Sequence, residues 1–126
     1  MRDRLGALAL FADLDDAQLD RLAAATTEFE APAGQALIER GRPGSGMFVL
    51  EEGQAIVEAP EGTREIGPGD VFGERALLGD EIERTARVRA RTDVRCLAIA
   101  RPEIERLLAE DPGLAARLSQ LSARGP

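Results

Sequence analysis

The spacing of apolar residues changes its period twice along this chain. Over residues 5–25, Leu14, Leu19 and Leu22 recur at near-helical intervals, which predicts two short helices. Asp15 or Asp16 can cap the second, with Gln18 completing a capping box. Over residues 27–100 the period shortens to two, and Gly and Pro divide the segment into short strands. Phe29–Ala31 and Ala36–Ile38 flank the Pro32–Gly34 turn. Met47–Leu50 and Gln54–Glu58 flank Glu51–Gly53 and read as a hairpin. Thr63–Ile66 runs into the tight turn Gly67–Asp70. From Arg84 to Ala90 the alternation is clean, with Ala86, Val88 and Ala90 on one face and Arg87, Arg89 and Arg91 on the other. Val94–Ile99 alternates more weakly. Over residues 102–123 the helical period returns. Pro102 suits a first helical position, Ile104, Leu107 and Leu108 share a face, Asp111-Pro112 breaks the run, and Leu114, Leu118 and Leu121 form the next face.

The order is therefore helices, a β-rich middle and helices again, and many short strands with regular turn signals imply a sandwich, barrel or jelly roll. A length of 126 residues suits one domain spanning 1–126. A chain of that size buries about two-thirds of its unfolded surface, enough to fold without a disulfide or metal. Composition narrows the chemistry. There is no histidine and one cysteine, Cys96, so most zinc, haem and iron–sulfur sites fall away, as do His-based acid–base catalysis and Ser-His-Asp triads. The expectation is a non-enzyme that holds no metal. A lone cysteine fits a reducing compartment, hence the cytoplasm, and Cys96 reads as a small buried apolar residue on the last strand. The net charge of −7 opposes general binding to DNA or to anionic membranes. The stretch Leu5–Ala12 faintly mimics a signal peptide, but its apolar run is short and acidic residues follow at once, so it reads as a helix. No run approaches the ~18 apolar residues of a membrane span.

The chemically informative stretch is Phe72-Gly73-Glu74-Arg75-Ala76-Leu77-Leu78, followed after five residues by Arg84-Thr85-Ala86. Gly73 lets the backbone approach a ligand closely. The turn after it offers free N–H groups to an anion, and Ala76 leaves that place uncluttered. Arg84 opens a strand, so its guanidinium is firmly placed to fork onto a phosphate. Glu74 would repel a phosphate, and makes sense beside a hydroxyl-bearing ligand such as a ribose. Phosphate and hydroxyl together describe a nucleotide. Taken singly, Arg84 is an ordinary strand charge, Glu74 a residue favoured by a helix dipole, and Thr85 a good β-former. Their joint spacing carries the argument.

That run resembles the phosphate-binding cassette of the cyclic nucleotide-binding domain family, found in bacterial catabolite-activator-type regulators, protein kinase A regulatory subunits and cyclic-nucleotide-gated channels. The bacterial activator version is most similar, through Glu83–Ala90. Gly34, Ile38, Gly41, Met47-Phe48-Val49, Gly53 and the Gly67–Asp70 turn also fall where the family keeps its glycines and apolar positions, so the resemblance covers residues 9–122. It implies an eight-stranded β-roll with N-terminal helices, a short cassette helix and two C-terminal helices. It implies that the N–H groups of Arg75 and Ala76 and the side chain of Arg84 hold the cyclic phosphate. Glu74 would accept from the ribose 2′-hydroxyl and Thr85 would touch the phosphate or the purine. Val57 and Thr63 would line the base pocket. The resemblance implies cyclic AMP or cyclic GMP as ligand, with the bacterial likeness favouring cyclic AMP.

Two departures leave a second reading open. Arg75 stands where the family has an apolar residue. The C-terminal helix, which in activators is long, dimerises and leads to a DNA-binding domain, stops near Ala123. The alternative is a roll that kept the cassette but serves as an interaction or dimerisation scaffold. A sensor acting on a protein effector or as a homodimer, without DNA or membrane binding by this chain, is the first expectation.

Overall fold

A computed structural model describes residues 1–38, 46–73 and 87–122. Two short helical pieces, α1 (Arg2–Gly6) and the 3-10 turn Ala9–Phe11, precede α2 (Asp16–Ala24). Asp15 is the cap of α2: its side chain accepts from the backbone of Gln18, and the Gln18 side chain accepts from the backbone of Asp15. The run that mimics a signal peptide is spent on packing, with Leu5, Leu10 and Phe11 buried in the core.

Eight strands follow among the described residues: β1 (Thr26–Ala31), β2 (Ala36–Ile38), β3 (Met47–Glu52), β4 (Ala55–Ala59), β5 (Gly62–Ile66), β6 (Val71–Phe72), β7 (Arg87–Ala90) and β8 (Val94–Ile99). They form two antiparallel four-stranded sheets, ordered β1-β8-β3-β6 and β2-β7-β4-β5. The chain is in effect a four-stranded ribbon folded over once, because four connections cross from one sheet to the other at a common corner. These are residues 32–35, 53–54, 67–70 and 91–93. Hydrogen bonds tie the corner together: Gln54 donates its backbone N–H to Thr92 Oγ1 at 2.9 Å, Arg91 donates to the Gln54 carbonyl at 2.8 Å, and Ala33 donates to Asp93 Oδ1 at 3.0 Å.

This corner corrects the expected hairpin between Met47–Leu50 and Gln54–Glu58. β3 has both edges occupied, Val49 pairing with Val71 on one side and Leu97 on the other, so β4 has no edge of β3 to join. Gly53 turns the chain instead, at φ +89°, and a Cβ there would sit 2.2 Å from the Asp93 carbonyl oxygen. Only glycine combines that conformation with that approach. β4 leaves the corner to pair with β5 and β7, and the hairpin is β4–β5.

The core has two layers. Between the sheets lie Ala31, Leu50, Phe72, Cys96 and Val94 of the first sheet, and Ile38, Ala55, Val57, Ile66, Val88 and Ala90 of the second. The other face of the first sheet, with Met47, Val49, Val71, Leu97 and Ile99, is covered by helices. Two helices close the described chain, α3 (Arg101–Glu110) and α4 (Pro112–Ser122). Ile104 and Leu107 of α3 and Leu114 and Leu118 of α4 are fully buried against the N-terminal helical segment. Among the described residues, no helix is long and apolar enough to cross a membrane.

Candidate functional site

The expected site residues divide between what the structure describes and what it does not. Glu74, Arg75, Ala76, Arg84 and Thr85 lie outside the described residues. Gly73, Val57 and Thr63 lie within them. Gly73 follows β6, with φ +81°, in the left-handed region where glycine is favoured. It is delivered there by a rigid lead-in: Phe72 is buried and stacks on Phe48 at 5.1 Å between centroids, and Phe29 meets Phe48 edge-on at 6.0 Å. Gly73 is thus reached directly from an aromatic trio, Phe29, Phe48 and Phe72.

Val57 and Thr63 do not share a face. In an antiparallel ladder, residues directly opposite each other point to the same side. Val57 stands opposite Val88 on β7 and Arg64 on β5, on the inner face. Thr63 stands opposite Glu58 and turns to the outer face, where it is exposed. The inner face of the second sheet carries one row across all four strands, Ile38, Val88, Val57 and Arg64. Nearer the corner, Ala55, Ile66 and Ala90 are buried. Nearer the β4–β5 turn, the half-buried Ala59 faces Gly62, so the walls there are small.

Arg64 is a residue that motif reading misses. The signal was available as parity: Ile66 is an inward apolar residue, so Arg64, two positions before it, points inward as well. It is half-buried, and no hydrogen bond or ion pair joins it to another side chain among the described residues.

The outward arginines behave differently. On the solvent face of the second sheet, Arg89 lies 3.6 Å from Glu58, and Arg91 pairs with Glu65. Arg95 belongs to the other sheet, on its helix-covered side, where it meets Glu28 at 3.4 Å and Glu51 at 3.5 Å. Arg4 of α1 joins the same acids, pairing with Glu51 and reaching Glu28 at 3.2 Å. The Arg4 bond, reinforced by charge, holds the Glu28 carboxyl below the usual carboxylate range. Among the described residues, no group of three or more His, Cys, Asp or Glu is placed to hold a metal ion.

A folded-over ribbon of eight strands, with a positive-φ glycine opening the segment between β6 and β7, has a counterpart among known proteins. Residues 28–111 match the family described as the cyclic nucleotide-binding domain. This chain belongs to that family. It is 35% identical over 123 residues to a cyclic nucleotide-gated potassium channel of Mesorhizobium japonicum, covering 96% of this chain and 34% of the channel. It is 38% identical over 104 residues to a cAMP-dependent protein kinase regulatory subunit of Aspergillus fumigatus, covering 79% of this chain and 24% of the subunit. The chain thus spans about a third or less of these relatives' length. In fold it is similar to the regulatory domain of Toxoplasma gondii PKA, solved in co-crystals with cAMP, at a TM-score of 0.83 and 22% identity, covering 98% of this chain and 48% of that one. The family is a regulatory binding module, as in the kinase regulatory subunits.

Proposed function

We propose that residues 1–126 work as one non-catalytic sensor, which binds a cyclic nucleotide between the sheets and transmits binding through its C-terminal helices to a protein partner. The observation that carries this reading is Gly73, a positive-φ glycine held by the Phe72–Phe48 stack at the entrance to Glu74-Arg75-Ala76 and, further on, Arg84-Thr85. In this reading the N–H groups of Arg75 and Ala76 and the guanidinium of Arg84 hold the cyclic phosphate. Glu74 accepts from the ribose 2′-hydroxyl, and the purine lies over Val57 with Thr85 beside it. Family membership supports it, as do relatives named for cyclic-nucleotide gating and for dependence on cAMP. The fully buried thiol of Cys96 suits the reducing conditions of the cytoplasm.

The test is calorimetric titration with cyclic AMP and cyclic GMP. Arg84→Ala leaves a phosphate charge unmatched and is expected to cost about 2–5 kcal/mol of binding, roughly 30-fold to several-thousand-fold in affinity. Glu74→Ala removes one ribose contact and is expected to cost about 1–3 kcal/mol. Near-wild-type binding by Arg84→Ala would place the pocket elsewhere. No heat with either nucleotide, from protein shown to be folded, would make the cassette a relic and the roll an interaction scaffold.

A further inference from the structure

We propose that the free edge of β1 is a docking site for an extended segment of a partner protein, with basic residues at every second position, which adds to the first sheet as a further strand. Binding there requires no nucleotide and does not depend on the sensor reading above.

Three observations carry it. β1 is the outermost strand of its sheet and, among the described residues, pairs with β8 alone, in an unbroken register from Thr26 opposite Ile99 to Ala31 opposite Val94. Its other edge presents backbone N–H and C=O groups along a strand of six residues, the template that strand addition uses. No bulge or proline interrupts that edge, and Pro32 comes only after it ends. The second observation is an excess of acid beside the edge. Arg4 is answered by Glu28 and Glu51, and Arg95 by Glu28, Glu51 and Glu52. Glu30 stands opposite Arg95 in the register, yet it is exposed and has no ion pair among the described residues. The third is a pocket of about 370 Å³ where β1 runs into the corner, lined by Glu30, Glu52, Asp93 and Arg95 and by the apolar side chains of Pro32 and Val94. Among the described residues no three acids are placed to share a metal ion. An arginine or lysine side chain fits better, laying its stem on apolar surface and its charge among carboxylates.

The charges choose the occupant. A two-fold pairing of β1 with a second copy keeps the faces matched only when opposed residues have the same parity. The two longest such registers set Glu28 opposite Glu28, or Glu28 opposite Glu30, and like charges directly opposite are unfavourable. Glu28 and Glu30 share one face of the sheet, two positions apart. A strand with basic residues at every second position meets both on that face, and one of its cations enters the pocket beside Glu30.

The deciding experiment titrates the full chain, in dilute buffer and followed by NMR, with an eight-residue peptide of alternating arginine and threonine. Shifts should concentrate in β1 and Asp93–Arg95, and hydrogen exchange should slow at alternate amides of residues 26–31. A peptide of the same composition with its arginines in one block, and an alternating peptide with N-methyl groups on every second backbone nitrogen, should each bind about 5-fold or more weakly. Glu30→Gln should weaken the alternating peptide about 2- to 5-fold and Glu30→Lys further, with thermal melts showing both variants folded. Equal binding of the three peptides would show a diffuse attraction to acid and would overturn the proposal. So would shifts confined to other surfaces, affinity indifferent to Glu30, or no binding of the alternating peptide. Dimerisation of the peptide-free chain in sedimentation, with the same protection of residues 26–31, would make the occupant a second copy and overturn it as well.

Discussion

Cys96 shows how much a single position owes to its surroundings. Its spacing on β8 marks it as an inward residue, and it is fully buried between the sheets. Burial, aided by the charge of Glu51, pushes its thiol up from 9.0 to about 11. Between those values the unfolded chain gives up a proton that the folded chain keeps. The folded pKa is raised, so stability is lost as pH rises through that window. Cys96→Ala is expected to be the less stable form near neutrality, and its deficit should shrink between about pH 9 and 11. Denaturant titrations across that range check this, and a constant deficit would mean that the thiol is not shielded. The same logic of faces separates Val57, Thr63 and Arg64, which are close in number yet divided between the two sides of the sheet. Parity within a strand is legible from sequence once one buried neighbour is known. Thr63 and Arg64 were readable in this way from Ile66.

At the scale of elements, the helices were the most legible part. Asp15 and Gln18 form their capping box from residues three apart, so the local sequence contains the whole device. The docking of α4 was not legible, because its partners are distant in the chain. Arg117 donates from Nε to the Leu10 carbonyl at 3.2 Å and from Nη2 to Asp111 at 2.9 Å, and lies 3.6 Å from Asp13. A C-terminal helix is thereby clasped to the N-terminal segment. Arg21 of α2 makes the matching link to α3, 3.4 Å from the buried Glu103 and 2.5 Å from Glu110. Arg117→Ala is expected to lower stability by about 1 kcal/mol, since its contacts are partly exposed. It should raise amide exchange across residues 112–122 while sparing β8. Unchanged protection in α4 would show that Leu114 and Leu118 hold the helix without the clasp.

For the whole molecule, the proposed ligand links binding to folding. A nucleotide bound only by the folded chain, at about 100 times its dissociation constant, should add roughly 2.7 kcal/mol to the unfolding free energy. Arg84→Ala at the same concentration should gain far less, and urea unfolding with and without nucleotide measures both. If the wild type gained nothing, the nucleotide would not bind the folded chain in preference to the unfolded one. The sequence by itself determined the order of helix, roll and helix, the turns, the caps and the composition of the cassette, because these depend on neighbours a few residues apart. The tertiary structure alone decided which strands pair. β3 and β8 are buried on both faces, so their apolar runs hide the alternation that would reveal orientation. The β3–β4 connection resembles a hairpin until β6 and β8 claim both edges of β3. The register likewise set Arg64 on β5 opposite Val57 on β4, a pairing that residue order alone does not show.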